Sequence, residues 1–190
     1  LATPLQHNPM PVTVKEFLEE ASGDIGIESL SGKKYLKRVI KEKAINRPGL
    51  ALAGHYKYFA QDRIQVLGLA ELTYLKELKP VDAKRKVTEF FDKHIPCVVV
   101  TRNRKVPDYI LAASEKAHTP VLKVNVITSD FINTATMILE ELTAPSKRVH
   151  GTVVDIKGVG VLIQGDAGIG KSETALALVE RGHSLVADDL

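Results

Sequence analysis

Val159-Gly160-Val161-Leu162-Ile163-Gln164 runs directly into Gly165-Asp166-Ala167-Gly168-Ile169-Gly170-Lys171-Ser172, and Glu173-Thr174-Ala175-Leu176-Ala177-Leu178-Val179-Glu180-Arg181 follows. The first segment is apolar and rich in β-branched residues, which predicts a strand. The last segment sets Ala175, Leu178 and Val179 on one face at helical spacing, which predicts a helix over Ser172–Arg181. The stretch between them, Gly165–Ser172, fits G-x-x-x-x-G-K-[ST], the pattern of a phosphate-cradling loop or P-loop. The chemistry explains the spacing. Glycines let consecutive backbone N–H groups turn inward onto phosphate oxygens, and the following helix presents its positive N-terminal end. Lys171 can reach the terminal phosphates and the Ser172 hydroxyl can ligate Mg²⁺. An ordinary glycine-rich turn is the competing reading. The strand before it and the helix after it decide for the P-loop.

Downstream, Gly182 ends the helix, and Ser184–Ala187 returns as a strand finishing in Asp188-Asp189. A right-handed strand–helix–strand unit brings both strand carboxyl ends to one edge of a sheet. Both aspartates then emerge beside the P-loop, where Mg²⁺ binding and activation of a nucleophile need carboxylates. Upstream, Gly151–Ile156 is a β-rich run separated from the Val159–Gln164 strand by Lys157-Gly158, a two-residue hairpin turn. That turn sets a register in which His150 stands opposite Gly165, at about 5 Å between Cα atoms. A turn of different length shifts the pairing by a residue and keeps the proximity. A lone histidine at a strand start is ordinarily structural, and it is this register that makes His150 a site candidate.

The N-terminal part alternates strands and helices. Thr13-x-x-Glu16 is a capping box that opens a helix to about Ala21. Strand candidates Ile25–Leu30 and Leu36–Ile40 follow, joined by Ser31-Gly32, and Asn46-Arg47-Pro48 reads as a helix start. Then come strand Arg63–Leu67, helices Leu69–Leu78 and Val81–Phe91, and strand Cys97–Thr101. A helix from Pro107 to near His118, strand Val121–Val124 and a helix from about Asp130 to Leu142, with Ser129 as its cap, complete the series. Such alternation predicts a parallel sheet covered by helices. Ala144-Pro145-Ser146-Lys147-Arg148 reads as a linker. The expected organisation is α/β throughout: a leader over residues 1–11, read as disordered, an N-terminal parallel-sheet α/β domain over 12–144, and the start of a P-loop domain over 145–190.

Bulk properties exclude several classes. The net charge of +3 is mild, and it divides into +4 over residues 1–144 and −1 over 145–190. The basic run Lys84-Arg85-Lys86 is flanked by Asp82 and Glu89, so it reads as a solvated helix face and not a nucleic-acid patch. Cys97 stands alone, which rules out an intrachain disulfide and fits a reducing compartment, the cytoplasm. No apolar run approaches the roughly 20 residues that span a bilayer, and no secretory signal pattern opens the sequence. No Asn-Lys-x-Asp stands anywhere, which argues against a GTPase.

Val149-His150-Gly151-Thr152-Val153-Val154-Asp155, the P-loop with Glu173-Thr174-Ala175-Leu176, and Arg181-Gly182-His183-Ser184-Leu185-Val186-Ala187-Asp188-Asp189 together resemble the HPr kinase/phosphorylase family. Asn46–Gly54, Arg63–Gly68 and Ile95–Thr101 resemble its N-terminal half, so the likeness runs from about Val12 to the end. The resemblance implies an ATP-dependent kinase that phosphorylates a serine of the phosphocarrier protein HPr and reverses the reaction, within regulation of carbon metabolism and the sugar phosphotransferase system. It implies that Gly165, Asp166, Ala167, Gly168, Ile169, Gly170, Lys171 and Ser172 bind ATP, or pyrophosphate in some members. Lys171 would bind the transferred phosphoryl group and Ser172 would help hold Mg²⁺. Asp189 matches the family's proton acceptor, with Asp188 its neighbour, and His150 matches an active-site histidine. The family also implies a homohexamer. Ala167 departs from a serine common at its position, which matters little where the backbone does the binding. A kinase domain of this kind extends past Leu190 to a further Mg²⁺-binding carboxylate and HPr-contacting segments, so residues 1–190 alone are expected to be inactive. The competing expectations are another P-loop ATPase or GTPase, and a ligand-binding regulatory module whose P-loop segment is non-catalytic.

Overall fold

Val98-Val99-Val100 explains the first unit of the molecule, because a strand apolar at every position must be covered on both faces. The computed structural model describes residues 11–145 and 150–188. The leader, apart from Pro11, the last part of the linker and Asp189 lie outside the described residues. Two compact units divide the chain, the first ending at Pro145.

The first unit opens with β1 (Val12–Thr13) and α1 (Val14–Ile25), followed by β2 (Glu28–Ser31), β3 (Val39–Ile40) and α2 (Gly49–Ala53). Then come β4 (Gln65–Leu67), α3 (Leu69–Glu77), α4 (Pro80–Phe91), β5 (Val98–Val100), α5 (Asp108–Lys116), β6 (Val121–Lys123) and α6 (Thr128–Leu142). The main sheet has the order β2-β6-β5-β4. β4, β5 and β6 are parallel in sequential order, with Val66 opposite Val99 and Val99 opposite Leu122. Alternate strand residues feed two cores. Val66, Val99 and Leu122 pack with Phe17, Phe131 and Ile138 of α1 and α6. Leu67, Val98, Val100 and Val121 pack with Leu72, Val87, Phe90 and Ile110 of α3, α4 and α5. Helices that carry the chain between β4, β5 and β6 therefore lie on one face, as right-handed crossovers progressing in one direction require.

Several local expectations hold and some need correction. Thr13 caps α1, its Oγ1 accepting the Glu16 N–H at 3.2 Å while Glu16 accepts the Thr13 N–H at 2.7 Å. The helix runs on to Ile25 and ends at Gly26, whose left-handed φ of 59° stops it. The sheet is not wholly parallel: β2 joins as an antiparallel edge strand beside β6. Nor do β2 and β3 pair with one another, since β3 pairs with β1 in a separate two-stranded sheet. Gly32, at φ 68° and packed so tightly that a Cβ would lie 2.8 Å from Pro120 Cα, turns the chain away between them. α6 starts earlier than Ser129. Its N-cap is Ile127, and the Thr128 hydroxyl is taken by Thr101 Oγ1 at 2.8 Å.

The second unit comprises β7 (Thr152–Ile156), β8 (Val159–Ile163), α7 (Lys171–Glu180) and β9 (Ser184–Ala187). The sheet order is β8-β7-β9, with β7 antiparallel to both neighbours. Thr152, Val154 and Ala175 are its buried side chains among the described residues. Leu162, Leu176, Leu185 and Val186 stand exposed.

Candidate active site

The β7–β8 hairpin turns at Lys157-Gly158, both at positive φ (55° and 84°), the conformation that a tight two-residue connection demands. Asp155 Oδ1 accepts the Gly158 N–H at 2.8 Å and braces the turn. Ile156 pairs with Val159 and Thr152 with Ile163, the register that the turn implies. Following that register past the strand ends, residue 150 comes to the start of the P-loop, and Gln164 Nε2 donates to the His150 carbonyl at 3.2 Å. Gly151 belongs to this close approach. A Cβ there would lie 2.7 Å from the Ile163 carbonyl oxygen.

β8 feeds the P-loop and α7 leaves it. Gly168 (φ 78°) and Gly170 (φ 96°) adopt left-handed conformations that side-chain-bearing residues rarely take, and Gly170 is the N-cap of α7. Lys171, Ser172 and Glu173 occupy the first turn, where backbone N–H groups lack intrahelical acceptors and point out of the helix end. Lys171 reaches back across the loop, its Nζ donating to the Gly165 carbonyl at 2.8 Å and the Asp166 carbonyl at 3.2 Å. Ser172 is exposed, as are Asp166, Ala167, Gly168 and Ile169. The loop is thus an open, positively biased turn with one ammonium folded over its rim.

β9 runs antiparallel to β7 and hence parallel to β8, with β7 between them. Both carboxyl ends arrive at one edge of the sheet, so Asp188 stands on the edge that carries the P-loop. Thr152, fully buried in the central strand, donates its hydroxyl to Asp188 Oδ1 at 2.5 Å. The Thr152 contact escaped sequence reading, although a threonine on the face that β7 shares with Val154 is a detectable oddity. Asp189, the proposed base, lies outside the described residues. Among the described residues no group of three or more His, Cys, Asp or Glu is placed to hold a metal ion. One carboxylate, one hydroxyl and phosphate oxygens are, however, the donor set Mg²⁺ ordinarily takes.

Fold and loop together define a P-loop unit that follows an α/β unit in the chain. Residues 12–139 match the family described as HPr serine kinase N terminus, and residues 141–190 match the HPr serine kinase C-terminal domain. The chain belongs to the HPr serine kinase family. It is 43% identical over 178 residues to an HPr kinase/phosphorylase of Halalkalibacterium halodurans, covering 94% of this chain and 56% of that protein. It is 41% identical over 183 residues to one of Clostridium perfringens, covering 95% and 57%, and 45% identical over 160 residues to one of Brevibacillus brevis, covering 84% and 51%. The chain spans about half the length of these curated relatives. No helix among the described residues is long and apolar enough to cross a membrane.

Proposed function

We propose that this chain belongs to an ATP-dependent kinase that phosphorylates a serine of HPr and, as a phosphorylase, removes the phosphate again, regulating carbon metabolism and the sugar phosphotransferase system. The observation that carries this reading is the single sheet edge bearing the P-loop, the His150 segment and Asp188. Phosphoryl transfer demands little beyond positioning and charge stabilisation, and this edge supplies both. ATP, or pyrophosphate, would lie against the Gly165–Ser172 backbone, with Lys171 on the transferred group. Mg²⁺ would be held by Ser172, the phosphates and a carboxylate of the Asp188-Asp189 pair, and would supply neutralisation of the developing negative charge. In the forward direction Asp189 would accept the serine proton as the serine oxygen bonds to the terminal phosphorus of the donor and the bond to the bridging oxygen breaks, releasing ADP (or phosphate from pyrophosphate). In reverse it would return that proton to the serine oxygen as the serine O–P bond breaks and the phosphoryl group passes to an inorganic phosphate, giving pyrophosphate. Asp188 is tied to buried Thr152 on the edge that carries the P-loop. His150 sits across the sheet edge from the P-loop as a further group for the transferred phosphoryl.

Residues 12–144 and 145–190 are read as separate domains, the first carrying no part of this chemistry. The assembled protein is read as a cytoplasmic homohexamer without membrane or nucleic-acid partners, its protein partner being HPr.

The test uses the complete protein with HPr and with HPr whose acceptor serine is blocked. Transfer from ATP to the first and not the second is expected. Asp189→Asn should keep nucleotide affinity within a few-fold and lose about 10²–10⁴ of turnover. If affinity collapses while turnover at saturation stays near normal, Asp189 belongs to nucleotide binding and the assignment of the base fails.

A further inference from the structure

The first unit has a second chemistry-bearing edge. Open parallel sheets take ligands in crevices outside the carboxyl ends of their strands, and a cleft of 470 Å³ opens there, after β4 and β5. Arg47, Thr73, Tyr74, Glu77, Arg102 and Thr128 contribute its polar lining. Two of these are arginines from different elements. Arg47 follows Asn46, which bridges Gln65 on the outer side of β4. Its guanidinium forks onto Glu71, Nε at 3.1 Å from Oε1 and Nη2 at 3.2 Å from Oε2. Glu71 is 5% exposed and also accepts the Gly68 N–H at 2.9 Å, so Arg47 is held in place while remaining 49% exposed. Arg102 follows β5 in a turn whose N–H groups donate to Val126 and Val124 carbonyls at 2.9 and 2.8 Å. It has no carboxylate partner among the described residues.

We propose that this cleft binds a small organic phosphate, its phosphate between Arg102 and Arg47 and its hydroxyl-bearing remainder toward Thr73, Tyr74 and Glu77. Two guanidinium groups on separate elements suit a tetrahedral anion, which offers oxygens in several directions, better than a planar carboxylate, which one guanidinium fork satisfies. Glu77 and the hydroxyl groups give acceptors and donors for sugar-like hydroxyls, and the volume matches a small metabolite rather than a peptide. Glu71 neutralises Arg47, so Arg102 supplies the uncompensated charge. None of these residues takes part in the P-loop chemistry, and the site stands whether or not the kinase reading does.

The whole chain carrying Lys171→Ala, which weakens the P-loop's own hold on phosphate, would be titrated with ribose 5-phosphate, with ribose and with gluconate while backbone amide shifts are followed. Saturating shifts at Gly68, Leu69, Arg102 and Thr128 are expected with ribose 5-phosphate at millimolar concentration or below, and none with the other two. Arg102→Asn preserves the turn, since asparagine tolerates the left-handed φ of 62° at that position. It should weaken binding by about tenfold or more at unchanged melting temperature, the loss expected for a charge-assisted contact, and Arg102→Lys should recover part of the affinity. Equal shifts with gluconate or with ribose, shifts confined to the P-loop, or parent-like affinity in Arg102→Asn would each overturn the proposal.

Discussion

Lys171 is folded over an open loop, and replacing it by alanine separates its structural role from its chemical one. Its two hydrogen bonds, to the Gly165 and Asp166 carbonyls, are exposed to solvent. Water competes for both partners there, so each contributes about 0.5 kcal/mol or less. Lys171→Ala should therefore lower the stability of the unit by no more than about 1 kcal/mol. A bound phosphate changes the comparison, because the ammonium then makes a charge-assisted bond worth about 1.5–3 kcal/mol. Its loss corresponds to an affinity about ten- to a hundredfold weaker. Titration of the complete protein with ATP and Mg²⁺, beside a melting curve on the same preparation, measures both quantities. Under the single-site reading, phosphorylation and dephosphorylation of HPr should disappear together. Unchanged nucleotide affinity would remove Lys171 from the phosphate site. A large fall in melting temperature at parent-like affinity would make it a strut that closes the loop, and the loop geometry would have been misread.

Gly68→Ala should destabilise the first unit by about 1–3 kcal/mol in urea unfolding, as overpacking does, because a Cβ would lie 2.7 Å from Thr128 Oγ1. Adding Thr128→Ala should return part of that loss, and a Gly68→Ala protein as stable as the parent would contradict the close approach of α3 and α6. Burial pushes the Cys97 thiol up from 9.0 to about 12 against the lowering influence of Arg38, so the folded protein should resist alkylation at pH 8. The unfolded thiol ionises first, so the stability of the first unit should fall as pH rises from 9.0 toward 12; rapid labelling under native conditions would show that Cys97 is not in the core. Hydrogen exchange should be slowest at the amides of β5 and β6 and markedly faster at β8 and β9, whose side chains bury little; equal protection across both sheets would mean that the second unit's exposed leucines and valines are covered in solution.

What the sequence made legible was local. Gly165–Ser172 declares itself because cradle, lysine and helix start lie within eight consecutive residues, and Lys157-Gly158 sets the hairpin register because a two-residue turn leaves no slack. Thr13 and Glu16 specify a cap for the same reason. What stayed hidden depends on residues far apart in the chain. Glu28–Ser31 is short and polar, and its place beside β6 follows from packing that no periodicity announces. Ser129 has the right chemistry for a cap, but Thr128 is drawn to Thr101, and the helix begins two residues sooner. Arg47 and Glu71 meet across 24 positions and Thr152 and Asp188 across 36, so neither pair could be read from spacing.

The candidate site shows how these two kinds of information combine. Handedness and hairpin geometry together require β8 and β9 to deliver their carboxyl ends to the same edge, whatever side chains they carry. Inserting β7 between them adds a distance: two strand spacings, about 10 Å, separate the strand that feeds the P-loop from the strand that ends in Asp188. The floor of that gap is the entry to β7, and there the chain places Gly151, where a Cβ would lie 2.7 Å from the Ile163 carbonyl oxygen. Glycine keeps the entry strand seated against β8, and His150, one residue earlier, is brought to the rim of the gap. That residue 150, the P-loop and Asp188 share one edge of the sheet is therefore a consequence of strand order, and substitutions that shift the β7–β8 register should disable the site without touching His150, Lys171 or Asp188.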